Sequence, residues 1–371
     1  MTPEANLTAI LTWINNRLDP SEFAHRSFAA IIGDGPSRYS KSPTLWNAGF
    51  AYLGIPATYL PFDVDASHLG DMVSALRNCD RFLGMNVTVP HKVRIMEFLD
   101  ELDPASRRIQ AVNTVVRSST GQLLGFNTDG EGFVRSIFEA QPARSQCFVE
   151  SLNGLDVLLL GAGGSARAVA FHLSDHLGDG RLIISNRTLQ HAASLVAEIR
   201  QLGRSAIAIS EADVAAWASK SALIVNSTTK GQGGLRRLSS SEMTDLEPFS
   251  SLAPALPPVL RNFSGSDAMA QRRCREIAAT SIATNLEISA AIAASVPKGV
   301  GFYDLIYHPE ETVFLSHGRA TGHPTMNGKA MIVNQAVIAF CRLICRLELK
   351  TRNIDTPETE KKLLETMYRA W

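Results

Sequence analysis

The sequence lacks an excess of charge of either sign, because 36 lysines and arginines balance 36 aspartates and glutamates over 371 residues. This balance gives no indication of a surface for nucleic acid or for an anionic membrane. The sequence also lacks any apolar run close to the roughly 20 residues that a membrane-spanning helix needs. These absences favour a cytoplasmic protein whose partners are small molecules, with neither nucleic acid nor membrane among them.

Cysteine is scarce, and its pattern argues against a disulfide framework. The cysteines are Cys79, Cys147, Cys274, Cys341 and Cys345. They lack the spacing of metal ligands, and their odd number is typical of buried thiols in a reducing compartment. Residues 1–20 lack the basic start, long apolar stretch and cleavage site of a signal peptide, and we interpret them as an extra helix.

Two series of short β-like runs alternate with helical patterns along the chain. The first extends from FAAIIGD at residue 28 to HKVRIMEFLDEL at 91–102, and the second begins with DVLLLGAGG at 156. Strands that alternate with helices at this interval predict mostly parallel sheets with crossover helices. The chain is therefore predicted to be an α/β protein of two domains, with the crevice between them as the natural ligand site.

A glycine-rich turn opens the second series. It follows an apolar run, Val157 to Leu160, that is typical of a strand buried on both faces. The turn consists of Gly161, Ala162, Gly163, Gly164, Ser165 and Ala166. Its first glycine permits a tight turn, the second lets a pyrophosphate approach the backbone, and the alanine lets helix and strand pack closely. A turn in an ordinary α/β unit is the alternative, but the strand–turn–helix context favours a dinucleotide site.

The residues after the next β-like run indicate which dinucleotide binds. A site for NAD usually places an acidic residue there for the ribose 2′-hydroxyl. This sequence instead has Asn186, Arg187 and Thr188. The planar guanidinium of Arg187 suits a 2′-phosphate, with the Thr188 hydroxyl beside it, so NADP is predicted and NAD stays possible. The alternative is that Arg187 is a solvated surface charge.

Polar clusters in the first series predict a second site. Ser40 and Ser42 place two hydroxyls near a helix N-terminus, which suits a carboxylate. The alternative is that Ser42 caps the helix, with Pro43 at its first position. Asn86 and Thr88 share one face of a strand because side chains alternate along it.

Lys92 and Asp129 are the candidate catalytic residues. Lys92 is expected in the first turn of a helix, where a cation opposes the helix dipole and is a poor choice for stability alone. Asp129 is expected to open the helix that links the two domains, and capping of that helix is an equally good explanation for it. His91, next to Lys92, is expected at the surface.

In this order the clusters resemble the shikimate dehydrogenase family, including its quinate-dehydrogenase-like members. The family elements S-x-S-P, G-x-N-V-T-x-P-x-K, A-V-N-T and N-T-D-G match residues 40–43, 84–92, 111–114 and 127–130. Further matches are Asn226, Ser227, Thr228, Tyr303, Tyr307 and residues 328–335. The resemblance spans about residues 28 to 347, and the joint order of the motifs is far more specific than any one motif.

The resemblance implies an α/β substrate-binding (catalytic) domain at 1–129 plus 326–371 and a Rossmann-type NADP-binding domain at 130–325. It implies reversible reduction of 3-dehydroshikimate to shikimate, in the chorismate pathway of aromatic amino acid biosynthesis. Lys92 and Asp129 would be the proton-transfer pair, and the cofactor would donate or accept the hydride. No metal is implied, and the protein would be a monomer or a homodimer.

The resemblance also assigns the remaining site residues. The residues that would bind the substrate are Ser40 and Ser42 at its carboxylate and Asn86, Thr88, Asn113, Tyr303 and Gln335 at or near its ring. The residues that would bind the cofactor are the glycine-rich turn, Asn186, Arg187, Thr188, Asn226, Ser227 and Thr228.

The sequence departs from the family pattern by an insertion. Between Asn226 and Tyr303 it is about fifty residues longer than usual, and we place the insertion at about 231–298. It could be a lid, an oligomer surface or a passive addition, of which surface loops are tolerant. The usual D-G-L-G-M also reads N-G-K-A-M at 327–331, near the expected nicotinamide.

Three substitutions lie near the two expected sites. His191 stands where NADP-specific relatives often have a second arginine, and Tyr39 and Trp46 replace two histidines that border the substrate pocket.

Quinate or aminoshikimate dehydrogenase on the same scaffold is the first alternative function. The serine pair favours shikimate, because quinate needs room for an extra hydroxyl beside its carboxylate. A metabolite-sensing pseudoenzyme is the second, and loss of Lys92 or Asp129 would have supported it.

Overall fold

The chain folds into two compact units. The computed structural model describes residues 3–22, 25–142, 144–238 and 241–371, with side chains except those of 3–7 and 22. The first unit contains Met1–Arg135, Gln141–Ser145 and Ile332–Trp371, and the second contains Ser136–Ala140 and Gln146–Met331.

A six-stranded sheet forms the centre of the first unit. Its strands are β1 (Ser27–Gly33), β2 (Ala57–Asp63), β3 (Phe82–Val87), β4 (Glu101–Leu102), β5 (Thr114–Arg117) and β6 (Leu123–Phe126). Their order is β2-β1-β3-β5-β6-β4, with β1 parallel to β2 and β3, and β5 antiparallel to β3 and β6. This sheet is mixed rather than mostly parallel, because residues 118–122 join β5 to β6 as a hairpin and leave no room for a crossover helix.

The second unit contains a parallel sheet and a small antiparallel one. Its strands are β7 (Val157–Leu160), β8 (Leu182–Ser185), β9 (Ala206–Ile209), β10 (Leu223–Asn226), β11 (Leu235–Arg237), β12 (Glu242–Asp245), β13 (Leu260–Arg261), β14 (Gly301–Asp304) and β15 (Thr325–Met326). The parallel sheet has the order β15-β14-β10-β7-β8-β9, and β11-β12-β13 form the antiparallel sheet. Every residue of β7 is at most 2% exposed, so the expected strand buried on both faces is confirmed.

Helices cover the sheets of both units. They are α1 (Pro3–Thr12), α2 (Pro36–Tyr39), α3 (Ser42–Leu53), α4 (Leu69–Arg77), α5 (Pro104–Ile109), α6 (Asp129–Phe138), α7 (Gly164–Ser174), α8 (Leu189–Gln201), α9 (Val214–Ala218), α10 (Asp267–Ile277), α11 (Ala279–Ser295), α12 (Val313–Ala320), α13 (Lys329–Ile338), α14 (Arg346–Thr351) and α15 (Pro357–Ala370). A π-helical segment, Ala339–Ile344, lies between α13 and α14. The alternation of strands and helices confirms the predicted α/β class.

The prediction of a helix over HKVRIMEFLDEL is wrong. A turn holds residues 91–93, a 3-10 helix spans Arg94–Phe98, and the last two residues form β4. The carbonyl of Lys92 accepts from the Val112 backbone N–H over 2.8 Å, and the Met96 N–H turns to Val93 instead. An α-helix would need the Lys92 carbonyl for Met96, so this long-range bond prevents it.

The expected insertion belongs to the second unit. It provides β11, β12 and β13, and its long helical pattern becomes α10 and α11, which break at Ala278. The Asn285 side chain on α11 is fully buried and donates to the carbonyls of Ser250 and Ala253, both over 3.1 Å. Arg275 on α10 pairs with Asp245 on β12 over 2.7 Å.

Within the described ranges no single helix is long and apolar enough to cross a bilayer. The pair α10 and α11, bent by 72°, reaches that length and composition only when the two helices are taken together.

Candidate active site

The serine pair lies where α2 gives way to α3. Ser40 Oγ accepts from the Ser42 backbone N–H over 3.2 Å, and Ser42 is 6% exposed. The capping alternative for Ser42 is wrong, because α3 begins at Ser42 itself and Lys41 is the N-cap residue. The Ser42 hydroxyl is therefore not spent on capping α3.

Tyr59, which no sequence motif singled out, contacts the predicted site residue Asn86. Its hydroxyl donates to Asn86 Oδ1 over 2.6 Å, and the ring stacks on the fully buried Trp46 at 4.7 Å between centroids. Burial raises the Tyr59 pKa well above its ordinary value, against smaller lowering contributions from Asn86 and Ser42, so the phenol stays a donor. A tyrosine inside a buried strand must find a polar partner for its hydroxyl, and that was the available signal.

Asn86 is oriented by protein contacts on both ends of its amide. Its Nδ2 donates to Thr114 Oγ1 over 3.1 Å and to the Asn113 carbonyl over 3.3 Å. With Tyr59 on Oδ1, what Asn86 still offers is one acceptor position on that oxygen. A ligand hydroxyl there must donate. Thr88, one residue beyond β3, is partly exposed on the same side of the chain.

Lys92 and Asp129 form an ion pair that Asn113 supports. Lys92 Nζ donates to Asp129 Oδ2 over 2.5 Å, and Asn113 Nδ2 donates to Asp129 Oδ1 over 2.8 Å. The side chains are 17% and 6% exposed for Lys92 and Asp129. Asp129 does open α6, as predicted, but its carboxylate accepts from these two side chains. The pair is therefore held for an interaction other than capping.

Gln335 reaches the same cluster from the far end of the chain. Its Oε1 accepts from Thr128 Oγ1 over 3.2 Å and from Asn113 Nδ2 over 3.3 Å. Asn113 Oδ1 in turn accepts from the Thr128 backbone N–H over 2.8 Å. The first unit thus assembles Asn86, Asn113, Asp129 and Gln335 through side-chain contacts, most of them between residues distant in sequence.

His91 was expected at the surface, and that expectation is wrong. It is 1% exposed, and its Nε2 lies 2.7 Å from the Val64 carbonyl. Burial lowers its pKa, so the neutral ring is favoured. Because Lys92 lies in a turn and not in a helix, the helix-dipole argument for it is wrong as well.

Tyr303 belongs to the second unit. It is fully buried on β14, packs edge to face on Phe148 at 6.0 Å between centroids, and its hydroxyl lies 2.8 Å from Ser136 Oγ. Tyr39 is 41% exposed. The substrate-binding roles predicted for Ser40, Ser42, Asn86, Thr88, Asn113, Tyr303 and Gln335 stay predictions.

The glycine-rich turn has the geometry that a dinucleotide needs. Gly161 has φ 112°, and a Cβ there would lie 2.7 Å from Ser227 Oγ. A Cβ on Gly163 or on Gly164 would meet nothing within 4 Å, and α7 begins at Gly164 without a side-chain cap. Ala166 is fully buried. The free N–H groups of α7 and the open space beside them fit a pyrophosphate.

The cation predicted for the 2′-phosphate is available at the end of β8. Asn186 Nδ2 donates to the Thr188 carbonyl over 2.9 Å and shapes the turn. Arg187 is exposed and forms no ion pair with any residue of the described ranges, and His191 is exposed nearby on α8. An unpaired guanidinium in this place suits a 2′-phosphate.

The Asn226 side chain is fully hydrogen-bonded within the second unit. Its Nδ2 donates to Asp304 Oδ1 over 2.9 Å and to the Lys230 carbonyl over 3.2 Å, and its Oδ1 accepts from Thr228 N and Oγ1 over 2.9 and 2.8 Å. Both amide hydrogens and both lone pairs are thus used inside the protein. Ser227 Oγ donates to the Leu160 carbonyl over 2.7 Å.

Asp304 is fully buried and supports the loop after β10 through its hydrogen bond with Asn226. Besides Asn226, it accepts from the Ile306 N–H over 2.9 Å and from Thr312 Oγ1 over 2.6 Å. Burial raises the pKa of its carboxyl to about 7, because these neutral donors compensate only part of the desolvation.

At the N-G-K-A-M departure, a Cβ on Gly328 would lie 2.0 Å from the Leu305 carbonyl, so this glycine is required, while Ala330 fits at 2% exposure. All five cysteines are free thiols, four of them buried. Among the described residues no group of three or more His, Cys, Asp or Glu side chains could hold a metal.

Known proteins resemble this chain over most of its length. Residues 31–115 match the family described as the shikimate dehydrogenase substrate binding domain, and residues 143–246 match the family described as shikimate/quinate 5-dehydrogenase. The shikimate dehydrogenase (NADP(+)) of Lysinibacillus sphaericus strain C3-41 is 34% identical over 85% of this chain and 91% of its own. That of Bacillus cereus strain G9842 is 34% identical over 84% and 90%.

Solved structures agree with these sequence relatives. Shikimate 5-dehydrogenase of Thermus thermophilus, in complex with NADP(H) and shikimate, has a TM-score of 0.62 at 26% identity, covering 93% of this chain and 99% of its own. Quinate dehydrogenase of Corynebacterium glutamicum, in complex with NAD, has a TM-score of 0.64 at 25% identity, covering 92% and 98%. The chain therefore belongs to the shikimate dehydrogenase family.

Proposed function

We propose that this protein is a shikimate dehydrogenase that reversibly reduces 3-dehydroshikimate to shikimate with NADP. The observation that carries the proposal is the Lys92–Asp129 ion pair, held at 2.5 Å among polar side chains of the first unit. A structural role alone does not account for a lysine and a carboxylate kept together at such low exposure, because desolvation opposes it. The sequence relatives are shikimate dehydrogenases named for NADP(+).

The substrate would be fixed by its carboxylate and its ring hydroxyls. Ser40 and Ser42 would hold the carboxylate, because the Ser42 hydroxyl is not used to cap α3. Asn86 would accept from a ring hydroxyl through its remaining acceptor position, and Tyr59 would keep Asn86 in that orientation. Asn113, Thr88 and Gln335 would complete the ring contacts. Tyr303 is the weakest of the assignments, since its hydroxyl already lies against Ser136.

Lys92 and Asp129 would move the proton of the reacting hydroxyl. The bound nicotinamide supplies the hydride chemistry. Lys92 Nζ would hydrogen-bond the oxygen that alternates between hydroxyl and carbonyl, and Asp129 would take up or return the proton through the pair. Asn113 fixes Asp129 through the oxygen that Lys92 does not use, so the carboxylate cannot rotate away.

The cofactor would lie on the second unit. The glycine-rich turn would hold the pyrophosphate, and Arg187 with Thr188 would bind the 2′-phosphate. Ser227 and Thr228 would border the dinucleotide next to Gly161, with Asn226 behind them. NAD stays an alternative, because the preference for NADP depends on one exposed arginine, Arg187, at the end of β8.

The domain roles follow from this distribution of residues. We propose that residues 1–129 plus 326–371 bind the substrate and that 130–325, with the insertion at about 231–298, bind the cofactor. The state of assembly, monomer or homodimer, and the cytoplasmic setting stay predictions.

Quinate is the competing substrate. A quinate dehydrogenase has much the same fold as the shikimate enzymes, so the fold does not choose between the two. Steady-state assays with shikimate and with quinate, each with NADP and with NAD, decide the matter. Shikimate with NADP should give the highest kcat/KM. Preference for quinate would replace the proposed substrate, and turnover with no combination would support the pseudoenzyme.

A further inference from the structure

An arginine of the insertion is tied to the loop that follows β10. Arg236 lies on β11, and its Nη1 donates to Thr229 Oγ1 over 2.7 Å. Thr229 directly follows Asn226, Ser227 and Thr228 in the chain. The contact connects the expected insertion to the loop that contains the motif Asn226, Ser227 and Thr228.

That loop borders the glycine-rich turn of the same unit. A Cβ on Gly161 would lie 2.7 Å from Ser227 Oγ and 3.2 Å from the methyl carbon of Thr228. The pyrophosphate of a dinucleotide lies on such a turn, against the N-terminus of the following helix. Arg236 is therefore anchored one residue away from a side chain that touches the turn.

The positive charge of Arg236 is not neutralised by the protein. Arg236 is exposed and has no carboxylate partner within the described ranges. Three other cations of this region do have one: Lys230 pairs with Glu211 over 2.6 Å, Arg261 with Glu242 over 2.9 Å, and Arg275 with Asp245 over 2.7 Å. Arg237 is exposed without a carboxylate partner in the described ranges as well, but it is not anchored to Thr229.

Its hydrogen-bonding capacity is also mostly unused. One of the five N–H donors of a guanidinium is spent on Thr229, which leaves four. The fork of donors suits phosphate oxygens. Arg237, the next residue on β11, points to the opposite face of the strand, so the two arginines form a natural comparison.

We propose that Arg236 is a cofactor-binding residue that reaches the pyrophosphate of the dinucleotide on the glycine-rich turn. Thr229 holds the guanidinium near that position before the cofactor arrives. The insertion thereby contributes directly to cofactor affinity. This inference rests on the proposed function, because it requires that the turn bind a dinucleotide.

The test is calorimetric titration of the full chain with NADP+ and separately with NAD+. Arg236→Ala should raise the Kd of both dinucleotides about tenfold, the size of one charge-assisted hydrogen bond to phosphate. Arg236→Lys should recover part of the loss. Arg237→Ala, which removes the same charge from the other face, should leave both Kd values unchanged. Thermal unfolding of each variant checks that the fold is retained.

Three results would overturn the inference while the proposed function stands. They are an unchanged Kd for Arg236→Ala, equal losses for Arg236→Ala and Arg237→Ala, and a loss confined to NADP+, which would assign the arginine to the 2′-phosphate. Wild-type protein that binds neither dinucleotide would refute the proposed function, and the inference with it. Thr229→Val provides an independent check, because it releases Arg236 without removing it and should give a smaller loss for both dinucleotides.

Discussion

Lys92 Nζ and Asp129 Oδ2 lie 2.5 Å apart although 37 positions separate the two residues in the chain. Neither side chain is more than 17% exposed, so their attraction is screened less than that of a surface pair. The other carboxylate oxygen of Asp129 is occupied by Asn113. The two charges therefore act as one unit, and removing either should affect what the other does.

Replacement of Lys92 should reduce turnover more than substrate binding. We expect Lys92→Ala to lower kcat by about 10²- to 10⁴-fold, the usual contribution of general acid–base catalysis, with KM changed only a few-fold. Steady-state kinetics with shikimate and NADP measure both constants. Lys362→Ala is the control, because it removes an exposed lysine that pairs with Glu358 over 3.2 Å, and it should leave kcat unaltered. A kcat for Lys92→Ala close to wild type would remove this lysine from the mechanism.

Replacement of Arg187 should change the choice between cofactors. Arg187→Ala is expected to raise the Kd of NADP about 10- to 100-fold and to leave that of NAD unaltered, because only NADP has the 2′-phosphate. Calorimetric titration with each dinucleotide gives both constants. Arg204→Ala is a suitable control, since this exposed arginine of the same unit pairs with Asp175 over 2.8 Å. Equal losses for both dinucleotides would contradict a 2′-phosphate site.

Alanine substitutions at two glycines of the turn should have different effects: one should weaken cofactor binding and the other should lower stability. Gly163→Ala is expected to leave the free energy of unfolding within about 0.5 kcal/mol, since its φ is −80° and a Cβ meets nothing. Cofactor affinity should nevertheless fall, because the Cβ fills the approach of the pyrophosphate. Gly161→Ala should cost about 1–3 kcal/mol of stability, because its φ of 112° strains an alanine and Ser227 lies in the way. Denaturant unfolding and cofactor titration separate the effects, and an unchanged Kd for Gly163→Ala would count against the site.

Asp304 should make the stability of the protein depend on pH. Its folded pKa of about 7 lies above the unfolded value near 3.8, so the folded state keeps a proton that the unfolded state loses in this window. The contribution of Asp304 to stability therefore falls as the pH rises from about 4 to 7. Asp304→Asn can keep all three hydrogen bonds if its amide nitrogen donates to Thr312 Oγ1. Because the amide does not titrate, the variant lacks this dependence of stability on pH.

The matching measurement is calorimetric unfolding from pH 5 to 8. The stability of Asp304→Asn relative to wild type should increase over this range, by about 2.7 kcal/mol. Asp156→Asn serves as the comparison. Its pKa is lowered, chiefly by the hydrogen bond from Arg181, so its difference from wild type should be flat above pH 5. A flat difference for Asp304→Asn as well would contradict the raised pKa.

Much of the fold was predictable because its signals are local. The apolar run of β7, the glycines after it and the helical pattern of α7 follow one another directly, and each depends on neighbouring residues. The same holds for the polar motifs, whose order resembles that of the family. The comparisons confirm that resemblance over most of the chain.

Two of the wrong predictions share one physical cause. The helix after β3 failed because Val112, some twenty residues away, takes the Lys92 carbonyl. His91 is buried because the Val64 carbonyl comes within 2.7 Å of it. In both cases a distant backbone group competes with the local preference, and no local pattern reports such a partner.

The sequence by itself determined the residue types, the α/β alternation and the motifs for a carboxylate, a proton-transfer pair and a dinucleotide. Only the tertiary structure decided which of these groups meet: Lys92 with Asp129, Tyr59 with Asn86, and Arg236 with Thr229. Local propensity is set by each residue and its neighbours, whereas a hydrogen bond between distant residues exists only once packing has brought its two atoms together.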